Sequence, residues 1–390
     1  MKRKVVSLLF LLIIIPATVM AGDRAEVWTN LFKRSKSLEQ QKAILTNILK
    51  LDDRDMAPLL MDALSEYVNG SKSDTTYDQK SLRNDVTLMV VQELGDLKAS
   101  EAAETVMDVY RNFEDPIVRS AALIAVGQMR ALQYGEEISL ILRNLNFGPN
   151  GKERENEIMA YGAILGLERM KSPFGYEPVF YASRGWYPSR TRKLAEQALD
   201  TITDDPTEFL KSVIENTDNY KNKTYAIEKE ASSKAPASSK ADVAFLGLKE
   251  GLEFQPDDLS QQLDLSKLRL TSIQVLNQYG KGKEEVVPYL KESAERKWDQ
   301  QERLNAIVAL GVNATDPAVE VLAEFLTNFN YRQTEGLNSN EDLQAIRSTI
   351  GAMVIANNSI AVPSLIEVEF SNFPGNISRL AKDALTKIED

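Results

Sequence analysis

The chain has 390 residues, 43% of them hydrophobic, with 46 Lys+Arg against 57 Asp+Glu and a formal net charge of −11. It contains neither histidine nor cysteine. That excludes Cys and His nucleophiles, the Ser-His-Asp relay, His/Cys zinc sites, iron–sulfur clusters, haem attachment and disulfides. The apolar content suffices for a packed core, and the length suits two or three globular units or one elongated array.

Residues 1–21 have the three parts of a secretory signal peptide. Lys2, Arg3 and Lys4 form a positive start, Val5 to Ile15 is an almost unbroken apolar run, and Val19-Met20-Ala21 follows Pro16 with residues a cleavage site tolerates. The apolar run is shorter than the roughly 18–20 residues of a spanning helix, which favours a cleaved leader over a membrane anchor. Cleavage after Ala21 leaves Gly22 as the first mature residue. With Gly rather than Cys there, the chain is not a lipoprotein. No later segment is long and apolar enough to span a bilayer. The expected location is periplasmic or secreted, and an exported chain without cysteine points to a bacterial envelope rather than a disulfide-rich extracellular setting. Loss of three cations with the leader takes the net charge to −14, which argues against nucleic acid and anionic membrane surfaces as partners.

From there on the pattern is helical, with apolar residues at three and four spacing and little alternation. Leu82, Val86, Met89, Val90 and Leu94 form one such face, and Gly95 fits a left-handed cap at its end. Asp115-Pro116 is a helix start: Asp accepts hydrogen bonds from free N–H groups and Pro is tolerated in the first turn. The helix that follows, Ile117 to Gly127, has a counterpart in Gln301 to Gly311. Arg119, Ala125 and Gly127 match Arg303, Ala309 and Gly311 at an offset of 184 residues; Gly95 and Gly280 lie 185 apart, Pro188 and Pro374, and Ala195 and Ala381, 186 apart. Tandem duplication of several helix pairs fits this, as do two arrays of one repeat type sharing phase. The finer unit is a helix pair of about 35–50 residues, within the solenoid range. The first helix of several pairs carries a proline (Pro58, Pro178, Pro288, Pro363), and the second is rich in small residues such as Ala121, Ala122, Ala125, Ala306 and Ala309.

The succession of Asp-Pro, Val-Arg, Ala-Ala, Ala and Gly, clearest from Asp115 to Met129, resembles HEAT repeats, in particular the bacterial HEAT-like proteins. Weaker copies occupy Gln301 to Thr315, Gly151 to Met170 and Arg192 to Ile202. The resemblance implies an all-α fold: an α-solenoid of stacked antiparallel helix pairs used mainly as a protein-binding scaffold. Several repeats lack the Asp-Pro and the Arg. Repeated Arg119 and Arg303 are expected to bond to a neighbouring repeat.

Periodicity fails from Asn216 to about Ser239, where Ala231 to Lys240 is small, polar and low in complexity. The expected organisation is a leader (1–21), an N-terminal helical array (22–216) ending in a helix begun by Asp205-Pro206, a flexible linker with a short helix (217–262), and a C-terminal array (263–390). A helical extension is the alternative for the linker, because Ala, Lys and Glu are helix formers.

Phe174, Tyr176, Phe180, Tyr181, Trp186 and Tyr187 place six aromatics in fourteen residues, with Arg184, Arg190, Arg192 and Lys193 around them. Aromatics with arginine suit a recognition hot spot, and cations near a helix start invite an anionic ligand or acidic neighbours. This makes Tyr176, Tyr181, Arg184, Trp186, Tyr187, Arg190, Arg192 and Lys193 the candidate partner-binding patch. The competing view is core packing of one helix with Trp186 plugging a loop. Asp52, Asp53 and Asp55 at a turn, and Glu284, Glu285, Glu292 and Glu295 along a helix, lack the spacing of a calcium loop and read as caps and a solvated face. No catalytic residue, cofactor or metal is expected.

The expected function is therefore an exported, non-enzymatic scaffold whose concave solenoid surface engages an envelope protein or peptide, with a cell-wall glycan as another candidate partner. The alternative is an enzyme or a small-ligand or glycan-binding protein on the same scaffold, using Glu, Tyr and Arg chemistry.

Overall fold

The computed structural model describes residues 19–296 and 299–389. The leader lies outside the described residues except for Val19-Met20-Ala21, which begin the first helix. Among the described residues there are twenty α-helices, short 3-10 turns and no strand. The chain divides at Thr203/Asp204 into two compact units of five antiparallel helix pairs each. This is the α-solenoid arrangement of stacked helix pairs.

In the first unit the pairs are α1 (Val19–Arg34) with α2 (Leu38–Ile48), α3 (Ala57–Gly70) with α4 (Tyr77–Asp96), α5 (Ala103–Asn112) with α6 (Pro116–Gln128), α7 (Gly135–Asn146) with α8 (Glu153–Met170), and α9 (Tyr176–Arg184) with α10 (Ser189–Ile202). Second helices pack on one another in the order α2, α4, α6, α8, α10. Their facing sides bury Val86, Val90, Leu94, Leu123, Val126, Ile164 and Leu167 completely. Each such side chain contributes about 1.5–3 kcal/mol before the entropy of ordering it is charged. No single pair has enough apolar contact to do this alone, so stacking creates the core.

The second unit repeats the plan: α11 (Thr207–Asn216) with α12 (Tyr220–Ser232), α13 (Ala237–Glu253) with α14 (Leu259–Tyr279), α15 (Val287–Glu295) with α16 (Gln300–Asn313), α17 (Asp316–Thr334) with α18 (Asn340–Ala356), and α19 (Val362–Glu367) with α20 (Gly375–Glu389). The offset of 184–186 residues corresponds to five pairs. Arg119 and Arg303 lie on the third second-helix of their units, and Ala195 and Ala381 on the fifth.

Local signals set most boundaries. Asp115 Oδ1 accepts from the N–H groups of Ile117 and Val118, at 2.8 and 3.2 Å. Pro58, Pro288 and Pro363 stand in the first turn of α3, α15 and α19, where a missing N–H costs nothing. Gly95 departs from expectation. It stays helical, and the left-handed residue is Lys98, with Arg130 and Lys171 at the equivalent positions after α6 and α8. In each case a six-residue loop closes the helix, as where the Ala99 N–H reaches the Leu94 carbonyl at 3.0 Å. Gly95 is needed for proximity instead: a Cβ there would stand 2.9 Å from the Ala125 Cβ of α6.

The expected flexible linker is not a linker. Residues 220–232 and 237–253 are α12 and α13, and Tyr225, Ala226, Ile227, Val243, Ala244 and Leu248 are buried. The Ala- and Ser-rich run itself is mostly exposed: of its residues only Ala235 is buried, and Pro236 opens α13. The order comes from the flanking buried faces of α12 and α13, and the run supplies the end of one helix, the turn and the start of the next. The helix begun by Asp205-Pro206 is α11, and it packs on α12 and α13 as the first element of the second unit rather than the last of the first.

Candidate functional site

The predicted aromatic and arginine patch lies at the turn from α9 to α10, and the structure takes it apart. Tyr176 and Tyr187 are buried and Phe180 is fully enclosed. Tyr181 is half-buried, edge-on to Phe180 with ring centroids 5.4 Å apart. Burial pushes the Tyr181 and Tyr187 phenols above their ordinary pKa. The Tyr187 hydroxyl donates to Asn146 Oδ1 at 3.1 Å, and the Trp186 indole N–H donates to the Leu145 carbonyl at 3.0 Å. Trp186 also lies against Tyr187, centroids 4.3 Å apart. These rings lock the α9–α10 turn onto the end of α7, so packing accounts for Tyr176, Trp186 and Tyr187. Arg184, Arg190, Arg192 and Lys193 remain exposed. The Arg190 guanidinium sits 4.9 Å from the centroid of the Tyr161 ring of α8.

Tyr161 belongs to a feature the sequence reading missed. On α6, Ile117, Ala121, Ile124 and Gln128 are open at helical spacing on one face. On α8 the same face shows Ile158, Tyr161, Leu165 and Glu168; on α4 it shows Leu88, Gln92 and Asp96; on α10, Leu194, Gln197 and Thr201. Cross-helix hydrogen bonds register these faces. Gln128 donates to Asp96 Oδ1 at 2.7 Å, and the Thr201 hydroxyl to Glu168 Oε1 at 3.2 Å. The result is a surface across four second helices with an apolar middle, Leu88, Ile124, Tyr161 and Leu165, and a polar border from Asp96 to Thr201. Its legible signal was the apolar residue left over on each second helix after the core positions were filled. The small residues that sequence analysis noticed serve the contact beneath it. Gly127, Gly162 and Gly166 bring α6 and α8 together, and a Cβ on Gly127 would stand 2.4 Å from the Gly166 carbonyl oxygen.

The two repeated arginines part company. Arg303 reaches the next pair as expected, where both its terminal nitrogens lie 3.3 Å from Asp342 Oδ1. Burial alone would raise the Asp342 pKa, but donors from Ser339 and Arg332 hold it well below the ordinary aspartate value. Arg119 stays within its own pair. Its Nε–H donates to the Tyr110 carbonyl at 3.0 Å and its guanidinium covers the Tyr110 ring at 4.3 Å. Matching the Gly127–Gly166 contact to the Gly311–Ala352 contact places Asn156 of α8 where α18 has Asp342, and the Asn156 amide donates to the Pro149 carbonyl at 2.9 Å instead.

A polar cleft of about 610 Å³ opens between the α3–α4 and α5–α6 turns. Asp74 and Arg83 meet in it through two hydrogen bonds, and Asn84 reaches Asp115 Oδ2 at 3.4 Å. The Asp74–Arg83 pair fixes the α3–α4 turn on α4, and the Asn84–Asp115 contact joins it to the α5–α6 turn. Asp53 caps a helical turn by accepting from the Asp55 N–H, in keeping with the capping role read for that cluster. Among the described residues no group of three or more acidic side chains is placed to hold a metal ion.

No protein-family model matches the chain, and no curated protein matches it. Among solved structures, human deoxyhypusine hydroxylase in complex with glycerol is similar over 87% of this chain and 98% of that one, at 14% identity and a TM-score of 0.27. A likeness at that level carries no argument about fold detail or activity.

Proposed function

We propose that this chain is an exported, non-enzymatic scaffold of the HEAT-like kind, which holds an envelope protein or peptide against the exposed face of its second helices. The supporting observation is the surface over α4, α6, α8 and α10. Its half-buried apolar residues, bordered along one edge by hydrogen-bonded polar residues, have the mixed apolar and polar composition of a recognition surface. It is built on rigid helices and fixed in register by the Gln128–Asp96 and Thr201–Glu168 bonds, so a partner meets it preorganised. The Arg190 guanidinium over Tyr161 adds a charge-bearing anchor at one end.

The test is site-specific photo-crosslinking in the intact cell envelope. A photoreactive side chain at Ile124 or Leu165 captures a discrete partner, and one at Leu140, on the first-helix side of the stack, does not. Equal capture at all three positions, or none at Ile124 and Leu165, would refute the assignment of this face. Mass measurement of the exported protein checks the leader: the mature chain starts at Gly22.

A further inference from the structure

In the second unit, the five turns that lead from first to second helix share one edge. Side-chain contacts join each to the next. The Tyr220 and Phe254 rings lie 6.1 Å apart, and the Ser266 hydroxyl donates to Asp299 Oδ2 at 2.6 Å. Gln300 donates to the Glu341 carbonyl at 3.1 Å, and Gln333 to the Asn372 carbonyl at 3.4 Å. Along this edge stand Leu259, Leu263, Tyr331, Leu337 and Phe370, every one more than three-fifths exposed. No other large apolar side chain described in this unit is as open. The opposite edge, by contrast, carries charged and small residues such as Lys234, Lys281 and Lys283.

The same edge is acidic, and four of its described cations are already engaged. Lys221 faces Asp264, Arg296 faces Glu292, Arg332 faces Asp342 and Lys382 faces Glu369. Asp218, Asp257, Glu335 and Glu341 are exposed and make no ion pair among the described residues. The unit as a whole has 20 Lys+Arg against 30 Asp+Glu. We infer that this edge is a docking surface for a cationic amphipathic segment of another protein, one that alternates Lys or Arg with apolar residues. Its apolar side covers Leu259, Leu337 and Phe370, and its cations pair with Asp257, Glu335 and Glu341. Two features favour that occupant. Unpaired carboxylates repel an anionic lipid surface, and they leave an uncharged partner with their desolvation uncompensated. This surface is separate from the second-helix face of the first unit and does not depend on it.

The probe is a 20-residue amphipathic Leu/Lys peptide, with a Leu/Glu peptide of the same apolar face as its control, titrated into the full mature chain. The Lys peptide binds, the Glu peptide does not, and raising the salt weakens binding about tenfold. Leu259→Ser/Leu337→Ser/Phe370→Ser, which alters only exposed side chains and keeps every charge, loses at least about tenfold, as does Asp257→Asn/Glu335→Gln/Glu341→Gln. Ile124→Glu in the first unit leaves this binding unchanged, which separates the two surfaces. Full affinity in the apolar triple variant reduces the effect to bulk charge and overturns the inference. Cosedimentation with phosphatidylcholine vesicles in place of peptide binding overturns it in favour of a membrane. Concentration-dependent self-association that Arg192→Glu/Lys193→Glu abolishes overturns it in favour of a second copy.

Discussion

Gly127 on α6 and Gly166 on α8 meet backbone to backbone, so a Cβ on Gly127 would lie 2.4 Å from the Gly166 carbonyl oxygen and 2.6 Å from its Cα. Gly311 meets Ala352 on α18 in the same way, five pairs later. In both units the third second-helix is therefore drawn in until nothing but hydrogen fits between it and the fourth.

That contact predicts the cost of one methyl group. Gly127→Ala destabilises the chain by about 3 kcal/mol, because backbone rather than a mobile side chain must yield. Ile124→Ala, on the open face of the same helix, costs under about 1.5 kcal/mol. Urea unfolding followed by circular dichroism compares them, and a Gly127→Ala loss no larger than that of Ile124→Ala would show that the two helices part easily.

A buried ion pair gives a second prediction. Arg269 Nε donates to Glu302 Oε1 at 2.8 Å, and Arg269 Nη1 to the Gly251 carbonyl at 3.0 Å. Both side chains are almost wholly enclosed, and Gly251 is bare so that the arginine stem can pass. Arg269→Met alone leaves an uncompensated carboxylate and costs about 3–5 kcal/mol, whereas Arg269→Met with Glu302→Leu recovers most of that loss. The readout is a double-mutant cycle on unfolding free energy. Strict additivity of the two single changes would mean that the pair does not act as a unit.

Glu230 supplies a pH dependence. It is buried, its Oε1 lies 2.7 Å from the Thr207 hydroxyl, and that hydroxyl lies 2.6 Å from Asp205 Oδ1. One hydroxyl hydrogen cannot serve both acceptors. Burial raises the Glu230 pKa, the Thr207 contact opposes the rise and the Asp205 charge adds to it, with Lys240 and Lys211 opposing. A protonated Glu230 donates to Thr207, which is then free to donate to Asp205. The folded state thus holds this proton more tightly than the unfolded chain, where a glutamate titrates near pH 4.3. The group's stabilising contribution is complete below about that pH and is lost as pH rises through the folded value. Glu230→Gln, an uncharged donor, is therefore more stable than the natural chain at pH 7.5, and the gap closes toward pH 4. Thermal melts across that range check it, and a gap that does not change with pH is the contrary result.

The segment 217–262 makes a fourth. Limited proteolysis of the native chain spares Lys221, Lys223, Lys229, Lys234 and Lys240, since α12 and α13 carry buried faces and Lys234 is tied to Asp204 at 2.7 Å. Deleting residues 231–240 removes the turn between α12 and α13 and unfolds the second unit, which a shortened linker would not do. Rapid cleavage within 229–240, ahead of all other sites, is the observation against it.

How much of this was written in the chain order depends on the range of each interaction. Asp115-Pro116, the first-turn prolines and the three-four apolar spacing act within one or two helical turns, so they yielded the helices and the pairing of α5 with α6 directly. The 184–186 residue offset also survived as the spacing of five pairs, because matched positions carry matched local roles. The candidate patch did not survive intact. Composition around Tyr176, Trp186 and Tyr187 is the same whether a ring is packed or presented, and Asn146 and Leu145, over forty positions away from their partners, decide which. Likewise Ala231 to Lys240 looks unstructured until the buried faces of α12 and α13 on either side of it find their neighbours, Gly95 looks like a cap until α6 lies on it, and Arg119 and Arg303 look alike until Asp342 appears opposite only one. Sequence alone determined the all-helical class, the starts marked by Asp115-Pro116 and the first-turn prolines, and the stacking of helix pairs, since those follow from local hydrogen bonding and periodicity. Tertiary structure alone decided the unit boundary, the roles of the glycines and arginines and which apolar residues remain open, because each depends on residues that only folding brings together.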